Sequence, residues 1–253
     1  MCDTVEPVNQ LERGPQRGDA FGTALLDVMQ GGDGIHIVER DDGLVEAMRA
    51  SVYFDDPDAW PEPEATFLAR IEGRALDIGA GAGRHSLALQ HRGHQVVALD
   101  TSAGAIEVCR ARGLNETFLG ALDDYAGTSP GVFDAILLLG HNLGLLESAE
   151  QSEVLFSLMA RLLAPGGVVI GSGMNPYLTD DPVHHAYQQQ NRERGRYPGQ
   201  IRLRIRHRDV AGDWFNYLFP SPEELGELAA RSGWRIEDII EPDPSYLAVL
   251  RPV

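Results

Sequence analysis

A glycine-rich turn between two apolar segments limits the possible folds of this chain more than any other feature. The apolar run at residues 75–78 is closed by alternating glycines at residues 79–83, and a helix-compatible segment follows. A second continuous apolar run, residues 96–99, ends at Asp100. Strands that are buried on both faces of a parallel sheet read as continuous apolar runs. The stretch therefore predicts strand, turn, helix and strand, the βαβ unit of an α/β fold.

The residue types in this turn predict a nucleoside site. Gly79, Gly81 and Gly83 lack a Cβ, so the backbone can turn sharply and a ligand can lie against bare peptide groups. The free N–H groups of the helical turn that follows favour an anionic group of the ligand. Asp100, at the end of the next strand, can accept two hydrogen bonds from a ribose diol.

The glycine spacing separates two kinds of nucleoside. A dinucleotide fingerprint, G-x-G-x-x-G, would place its third glycine where this chain has Arg84. The pattern is instead Asp77-x-Gly79-x-Gly81-x-Gly83. An acidic residue beside the turn repels a pyrophosphate but suits a ligand with an ammonium group. These residues disfavour an NAD-dependent oxidoreductase.

The turn and the acidic strand end resemble those of the class I S-adenosylmethionine-dependent methyltransferases, in particular bacterial enzymes that act on small molecules. Residues 132–142, 162–170 and 233–236 resemble the family's fourth strand and the entries into its fifth and sixth strands. The resemblance implies a Rossmann-like, doubly wound, mostly parallel seven-stranded α/β sheet. It also implies S-adenosylmethionine as cofactor and methyl transfer to a small-molecule acceptor. The cofactor contacts that it implies are Asp77, Gly79, Ala80, Gly81, Gly83, Arg84, Asp100, Thr101, Ala121, Leu122, Asp123, Leu139 and Tyr53.

Three candidate residues have two interpretations each. Tyr53 lies in an aromatic, turn-forming segment of the kind that folds over the cofactor in this family, but it also suits packing against the domain. Asp123 follows the third strand, where the resemblance places the adenine, and is otherwise a solvated loop charge. His141 ends the fourth strand and is the candidate general base. The alternative is that His141 only lines the pocket.

The segments around this unit predict a cap and an insertion. Residues 1–60 are expected to be a tail and a helical cap or lid, with short helices at residues 21–30 and 44–52. Residues 61–253 are expected to form the S-adenosylmethionine-binding methyltransferase domain. Within it, residues 174–219 form an insertion after the fifth strand that faces the substrate.

The insertion is predicted to contain a hairpin with one arginine face. Arginine alternates with apolar residues or histidine over residues 201–208, which predicts a strand, and residues 214–219 can pair with it. Arg192, Arg194 and Arg196 precede this strand, and we expect one or two of them to clamp an anionic acceptor bidentately. A solvated arginine face is the competing interpretation.

Composition limits the partners. The formal net charge of −17 disfavours nucleic acid as a substrate. His184 and His185, beside Asp180 and Asp181, do not suggest a metal site, because adjacent histidines cannot easily share one tetrahedral ion. The two cysteines do not suggest a disulfide framework, and no run has the length of a membrane span or a signal peptide. We therefore expect a cytoplasmic monomer or homodimer without a membrane partner.

Two other classes of function would show the same turn. An aminopropyltransferase, or another transferase that uses a sulfonium nucleoside, binds its cofactor through the same groups. A non-catalytic protein that binds S-adenosylmethionine would do so as well. Product analysis separates these alternatives from methyl transfer.

Overall fold

Two β-sheets and the helices around them make up residues 15–60 and 62–253, the part of the chain that the computed structural model describes. The α-helices are α1 (Ala20–Met29), α2 (Glu62–Leu68), α3 (Arg84–His91), α4 (Ala103–Ala111), α5 (Leu122–Gly127), α6 (Ala149–Leu162), α7 (Pro182–Glu193) and α8 (Pro222–Arg231). The strands are β1 (Gln16–Arg17), β2 (Ile35–Arg40), β3 (Val45–Arg49), β4 (Arg74–Ile78), β5 (Gln95–Asp100), β6 (Glu116–Leu119), β7 (Phe133–Leu138), β8 (Leu163–Met174), β9 (Gln200–His207), β10 (Val210–Ala211), β11 (Phe215–Leu218), β12 (Trp234–Ile240) and β13 (Ser245–Pro252).

The larger sheet has seven strands in the order β12-β13-β8-β7-β4-β5-β6. Strands β4 to β8 are parallel to their neighbours in this set, and β13 and β12 add two antiparallel strands at one edge. This confirms the predicted doubly wound, mostly parallel sheet. The strand order reverses between β4 and β7, and open α/β sheets bind their ligands at the carboxyl ends of the strands beside such a reversal.

Apolar cores cover both faces of this sheet, which explains the continuous apolar runs. Leu76 of β4 points into a core with Phe156 of α6 and Leu228 of α8. Its neighbour Ala75 points into the opposite core, with Phe67 of α2 and Leu89 of α3. Successive side chains of a strand face opposite sides, so a strand covered on both sides has no polar face.

The second sheet combines strands from the N-terminal segment and from the insertion, in the order β1-β10-β9-β2-β3 with β11 also beside β9. The predicted hairpin is confirmed, since β11 pairs with β9 in antiparallel register. The predicted helix over residues 44–52 is wrong, because β3 and a 3-10 helix at Ala50–Phe54 occupy that segment. Strand β2, which we did not predict, pairs with β9 on one side and β3 on the other. The pairing of β2 with β9, which lies far along the chain, helps to make this segment a strand, because strand formation depends on the neighbouring strands.

Helix α1 joins the two sheets and confirms the first predicted cap helix. Its N-cap residue, Asp19, accepts hydrogen bonds from Ser102 Oγ at 2.8 Å and from the Gly104 amide at 2.9 Å. A Cβ placed on Gly104 would lie 2.6 Å from the Cα of Gly22. Helices α1 and α4 thus approach closely through two glycines, next to the end of β5.

Two kinds of feature are absent from the described residues. None of their helices combines the length and the hydropathy needed to cross a membrane. No cluster of three or more histidine, cysteine or acidic side chains among them is arranged to hold a metal ion.

Candidate functional site

The glycine turn lies at the reversal of strand order, between β4 and α3. Gly79, Gly81 and Gly83 have φ values of 72°, 57° and 75°, a region that favours glycine. A Cβ on Gly79 would also lie 2.5 Å from Nδ2 of Asn142. That nitrogen donates to the carbonyl oxygens of Ile78 and Gly79, at 3.0 and 2.9 Å. Asn142, which follows β7, therefore fixes the turn from the neighbouring strand.

Several amides of the turn donate hydrogen bonds to groups within the protein. The N–H groups of Gly79 and Ala80 donate to the carbonyl oxygen of Leu99, at 2.8 and 3.0 Å. The N–H group of Gly81 donates to Oδ2 of Asp100 at 2.9 Å. The free N–H groups at the N-terminus of α3 therefore remain as donors for a ligand carboxylate, and the helix dipole also favours an anion there.

Asp100 closes β5 and faces the turn. Its Oδ1 accepts from the Ser102 amide at 2.8 Å, in addition to the bond from Gly81. Burial is the main reason that the pKa of Asp100 is raised, against the lowering effect of these two hydrogen bonds. A carboxylate has about four lone-pair sites, so two remain for a ribose diol. These acceptor sites fit the ribose of S-adenosylmethionine, the predicted cofactor. Thr101, the next residue, is exposed.

The end of β6 lies beside Asp100, because the Gly120 amide donates to the Asp100 carbonyl at 3.0 Å. Ala121 is the N-cap of α5, Leu122 is buried, and Asp123 is an exposed residue of the first helical turn. The structure thus brings the predicted adenine and ribose residues together at one sheet edge.

Asp77 links β4 to α3 through a buried hydrogen bond. It is 2% exposed, and its Oδ2 accepts a hydrogen bond from Ser86 Oγ at 2.7 Å. Burial raises the pKa of this carboxyl, and the charges of His85 and Arg84 oppose the shift. Asp77 thus anchors α3 to β4; its contact with the cofactor ammonium stays a prediction.

His141 follows β7 and is held on three sides. Its N–H donates to Ser172 Oγ at 2.9 Å, and its carbonyl accepts from the Tyr217 hydroxyl at 2.7 Å. The ring nitrogen Nε2 lies 3.2 Å from Ser245 Oγ. Burial lowers the pKa of His141, and the Glu64 carboxylate only partly offsets this. The imidazole is therefore mainly neutral at neutral pH and has a nitrogen that can accept a proton.

Two aromatic rings cover the glycine turn. The rings of Tyr53 and Phe21 meet edge to face with centroids 5.2 Å apart. A Cβ on Gly81 would lie 3.8 Å from Tyr53 Cδ1 and 3.7 Å from Phe21 Cζ. This contact is the packing that the second interpretation of Tyr53 predicts, and the position of Tyr53 over a bound cofactor stays a prediction. Phe21 was not predicted.

Arg84 points toward the segment that precedes β4. Its Nη2 lies 3.3 Å from Oε2 of Glu64, and its guanidinium lies over the Trp60 ring at 5.5 Å. His85 Nε2 lies 3.4 Å from the same carboxylate oxygen. Burial alone would raise the pKa of Glu64, but the pairing with His85 and the nearby cations outweigh it and the pKa is lowered. Glu64 thus fastens α2 to the first turn of α3.

Leu139 and the three arginines predicted as a clamp differ in their surroundings. Leu139 is 3% exposed and belongs to the core cluster that includes Phe67, so its side chain packs within the protein. Arg192, Arg194 and Arg196 are exposed at the C-terminal end of α7 and in the turn after it.

The arginine face of β9 is partly neutralised within the protein. Arg204 forms a two-pronged contact with Glu39, with both N–O distances 3.0 Å, and Arg206 lies 3.4 Å from the same carboxylate. These ion pairs favour the interpretation that the arginine face of β9 is a partly solvated surface.

Several residues of the site carry no local sequence signal. Phe21, Glu64, Tyr217 and Ser245 reach it from distant segments, and none belongs to a motif. Only covariation with residues of the turn would have indicated them. Asn142 is an exception, because its position after the strand-ending His141 already places it at the sheet edge.

Comparisons with known sequences match the central part of the chain. Residues 75–167 match a family described as "Methyltransferase domain". A "Ubiquinone biosynthesis O-methyltransferase" of Xanthomonas campestris pv. campestris (strain B100) is 31% identical over 116 residues, 44% of this chain and 47% of the relative. The protein with the same description from Xylella fastidiosa (strain 9a5c) is 33% identical over 107 residues, 40% of this chain and 42% of the relative. The chain thus spans about half the length of the curated relatives it matches.

Solved structures match over more of the chain. A SAM-dependent methyltransferase from Bacteroides fragilis in complex with S-adenosyl-L-homocysteine has a TM-score of 0.79 and 29% identity, covering 93% of this chain and 95% of that one. The DhpI-SAM-HEP complex has a TM-score of 0.53 and 27% identity, covering 80% of this chain and 92% of that one. Both neighbours are described with S-adenosylmethionine or its demethylated product, which fits the free acceptor sites of Asp100.

Proposed function

This chain belongs to the class I S-adenosylmethionine-dependent methyltransferases, and on that premise we propose that the whole protein transfers the methyl group of its cofactor to a small-molecule acceptor. One observation carries the proposal. The glycine turn, the carboxylate of Asp100 with free lone pairs and the neutral imidazole of His141 lie at the carboxyl edge of one sheet. Cofactor and acceptor groups can therefore meet at that edge.

The chain's main contribution is positioning. When bound, S-adenosylmethionine would supply a methyl group on a positively charged sulfur: a nucleophile bonds to the methyl carbon while the carbon–sulfur bond breaks, and S-adenosylhomocysteine leaves. Asp100 and the residues after β6 hold the ribose and adenine, and the N-terminus of α3 holds the carboxylate. Tyr53 and Phe21 cover the turn and exclude water. Holding the reactants in line supplies much of the rate increase in such a displacement.

A methyl acceptor that reacts through a hydroxyl oxygen suits the neutral imidazole of His141. A hydroxyl group starts protonated, so a general base assists its attack. The imidazole of His141 is the candidate base at this sheet edge, and the contact between its Nε2 atom and Ser245 Oγ orients the ring. The names of the curated relatives, O-methyltransferases, support the same choice. In this proposal the insertion, residues 174–219, faces the acceptor.

The arginine clamp for an anionic acceptor stays a prediction. Arg192, Arg194 and Arg196 are exposed, and Arg192 packs over the ring of Tyr177 at 5.8 Å. On the arginine face of β9, Arg204 and Arg206 form ion pairs with Glu39. Arg204 and Arg206 would have to leave Glu39 to bind an anionic acceptor.

Incubation with methyl-labelled cofactor and a mixture of small metabolites tests the function. Mass spectrometry should detect a labelled product together with S-adenosylhomocysteine, and His141→Gln should slow its formation. A product that carries an aminopropyl group, together with methylthioadenosine, would support the alternative transferase. Tight cofactor binding without any product would support a non-catalytic protein.

A further inference from the structure

A cavity of about 270 Å³ lies between the insertion and the end of β8. Val38 and Leu203 of the second sheet, together with Phe219, form apolar walls. Met174 and Pro244 close it on the side of the larger sheet. The volume equals that of about nine water molecules at their liquid volume of ~30 Å³ each, so the cavity has room for a substituted aromatic ring.

The cavity borders on the surroundings of His141. Met174, one of its wall residues, is paired with Ser245 across β8 and β13, and Ser245 contacts the imidazole. On another side, Phe219 is two residues from Tyr217, whose hydroxyl holds the His141 carbonyl. A molecule whose body fills the cavity can thus extend toward the candidate base.

The charges around the cavity do not favour an anion. Arg40 lines it, but Nε and Nη2 of Arg40 donate to both oxygens of Asp42, at 2.8 and 2.7 Å. Its guanidinium is also stacked over the Tyr187 ring at 4.2 Å. The exposed Glu46 adds a carboxylate at the rim and has no ion pair with any residue that the structure describes. The only guanidinium of the wall is therefore already neutralised.

Among the uncharged polar side chains of the wall, His184 and Gln188 provide one donor and one acceptor. Arg40 Nη1 lies 2.9 Å from Nδ1 of His184, and because a guanidinium only donates, the ring proton of His184 is on Nε2. Gln188 donates from its amide nitrogen to the Pro176 carbonyl at 2.6 Å, which leaves its Oε1 as an acceptor. Neither the Nε2–H group nor Oε1 has a hydrogen-bond partner within the described parts of the chain.

We propose that this cavity binds the body of the methyl acceptor, and that the acceptor is an uncharged, largely apolar molecule with one hydrogen-bond acceptor and one donor. The proposal rests on the proposed methyl transfer, since it names the substrate class of that site. Apolar walls with a few placed polar groups are typical of small-molecule pockets. Leaving His184 and Gln188 unpaired in the complex would cost affinity, so the ligand must match both.

Three probes of similar shape and different charge test whether the cavity prefers an uncharged ligand. Benzamide carries a carbonyl oxygen and an N–H group, benzoate is the matching anion, and benzamidine is the matching cation. Titration of the protein saturated with S-adenosylhomocysteine, followed by NMR, should show that benzamide binds about tenfold more tightly than either ion, because a buried unpaired charge is costly. Equal or tighter binding of benzoate or benzamidine would overturn the proposal.

Two tryptophan variants on one strand test the location. Ile201 lines the cavity, and Ile201→Trp should weaken benzamide binding about tenfold by filling it. Ile205 lies on the same face of β9 but outside the cavity wall, so Ile205→Trp is the matched control and should leave benzamide binding unchanged. Unchanged binding in Ile201→Trp, or equal losses in both variants, would contradict the assignment.

S-adenosylhomocysteine affinity, measured on the same samples, separates the two proposals. Retained affinity in both tryptophan variants shows that they are folded. If wild-type protein failed to bind S-adenosylhomocysteine, the proposed function would be wrong. If wild-type protein bound it and methylated an acceptor that carries a charge on its body, only the cavity assignment would be wrong.

Discussion

The carboxylate of Asp100 joins two turns, since it accepts from the amides of Gly81 and Ser102. Asp100→Ala removes these bonds as well as the ribose acceptors, so a loss of affinity alone does not identify the ribose contact. We therefore compare S-adenosylhomocysteine with its 2′,3′-dideoxy analogue. Wild-type protein should bind the analogue more weakly by about 1–3 kcal/mol. The variant should bind both ligands equally, as measured by calorimetry.

The exposed Asp209, which lies far along the chain from the turn, provides the control. Asp209→Ala should keep the wild-type preference for the ligand with the ribose diol. If Asp100→Ala also kept that preference, the ribose contact would have to be assigned to another residue.

The imidazole of His141 should titrate below the ordinary histidine value of about 6.5, because burial disfavours its charged form. NMR titration measures this, with the signal assigned by its loss in His141→Gln. A folded-state pKa below the unfolded value also means that the folded protein binds this proton less readily. His141 should thus lower stability as the pH falls through about 6.5.

Turnover tests the role of the same residue once an acceptor is known. His141→Gln should reduce kcat by about 10²–10⁴ if the ring is the general base, with little change in cofactor affinity. His94, a partly exposed histidine beside the Gly73 carbonyl, provides a control, and His94→Gln should leave kcat unchanged. A wild-type rate in His141→Gln would exclude a catalytic role for His141.

At the scale of elements, the approach of α1 to α4 depends on glycine. A methyl group on Gly104 would lie 2.6 Å from backbone atoms of Gly22. Gly104→Ala should therefore destabilise the protein by about 1–3 kcal/mol, although alanine is the better helix former. Urea unfolding measures the change.

Gly127 is the matched control, because it is also helical and a Cβ there would meet no atom within 4 Å. Gly127→Ala should leave the free energy of unfolding unchanged or raise it by up to about 1 kcal/mol. Equal effects of the two substitutions would show that helix propensity, and not the contact between α1 and α4, decides the outcome.

Elements with local signals could be predicted from the sequence. The apolar runs predict β4, β5 and β7, and the capping box from Ser221 to Glu224 marks the start of α8. Strands β2 and β3 could not be predicted, because β2 becomes a strand by pairing with β9 far along the chain. The site follows the same rule: the glycine turn and Asp100 lie in one motif, whereas Phe21 and Glu64 reach it only through packing.

At the scale of the whole molecule, the net charge of −17 sets the long-range field. Seven arginines lie within residues 192–208, but Glu39 already pairs with two of them. We expect no binding to tRNA even at about 0.01 M ionic strength, where the screening length reaches ~30 Å and attraction to a basic patch would be strongest. A gel-shift titration measures this, and a salt-sensitive complex would show that the arginine stripe is a basic surface.

The pairing of β2 with β9 has a consequence for the order of folding. Residues 35–40 can pair with β3, the next strand along the chain, but they lack their second partner until residues 200–207 and the strands of the larger sheet between them have been synthesised. Contacts so far apart along the chain close late, because the entropy of the intervening loop must be lost first. The larger sheet can assemble from nearer neighbours in the chain, so we expect it to form earlier than the smaller one. Until then the edge of β2 that later pairs with β9 is unpaired on the nascent chain, and such edges promote aggregation.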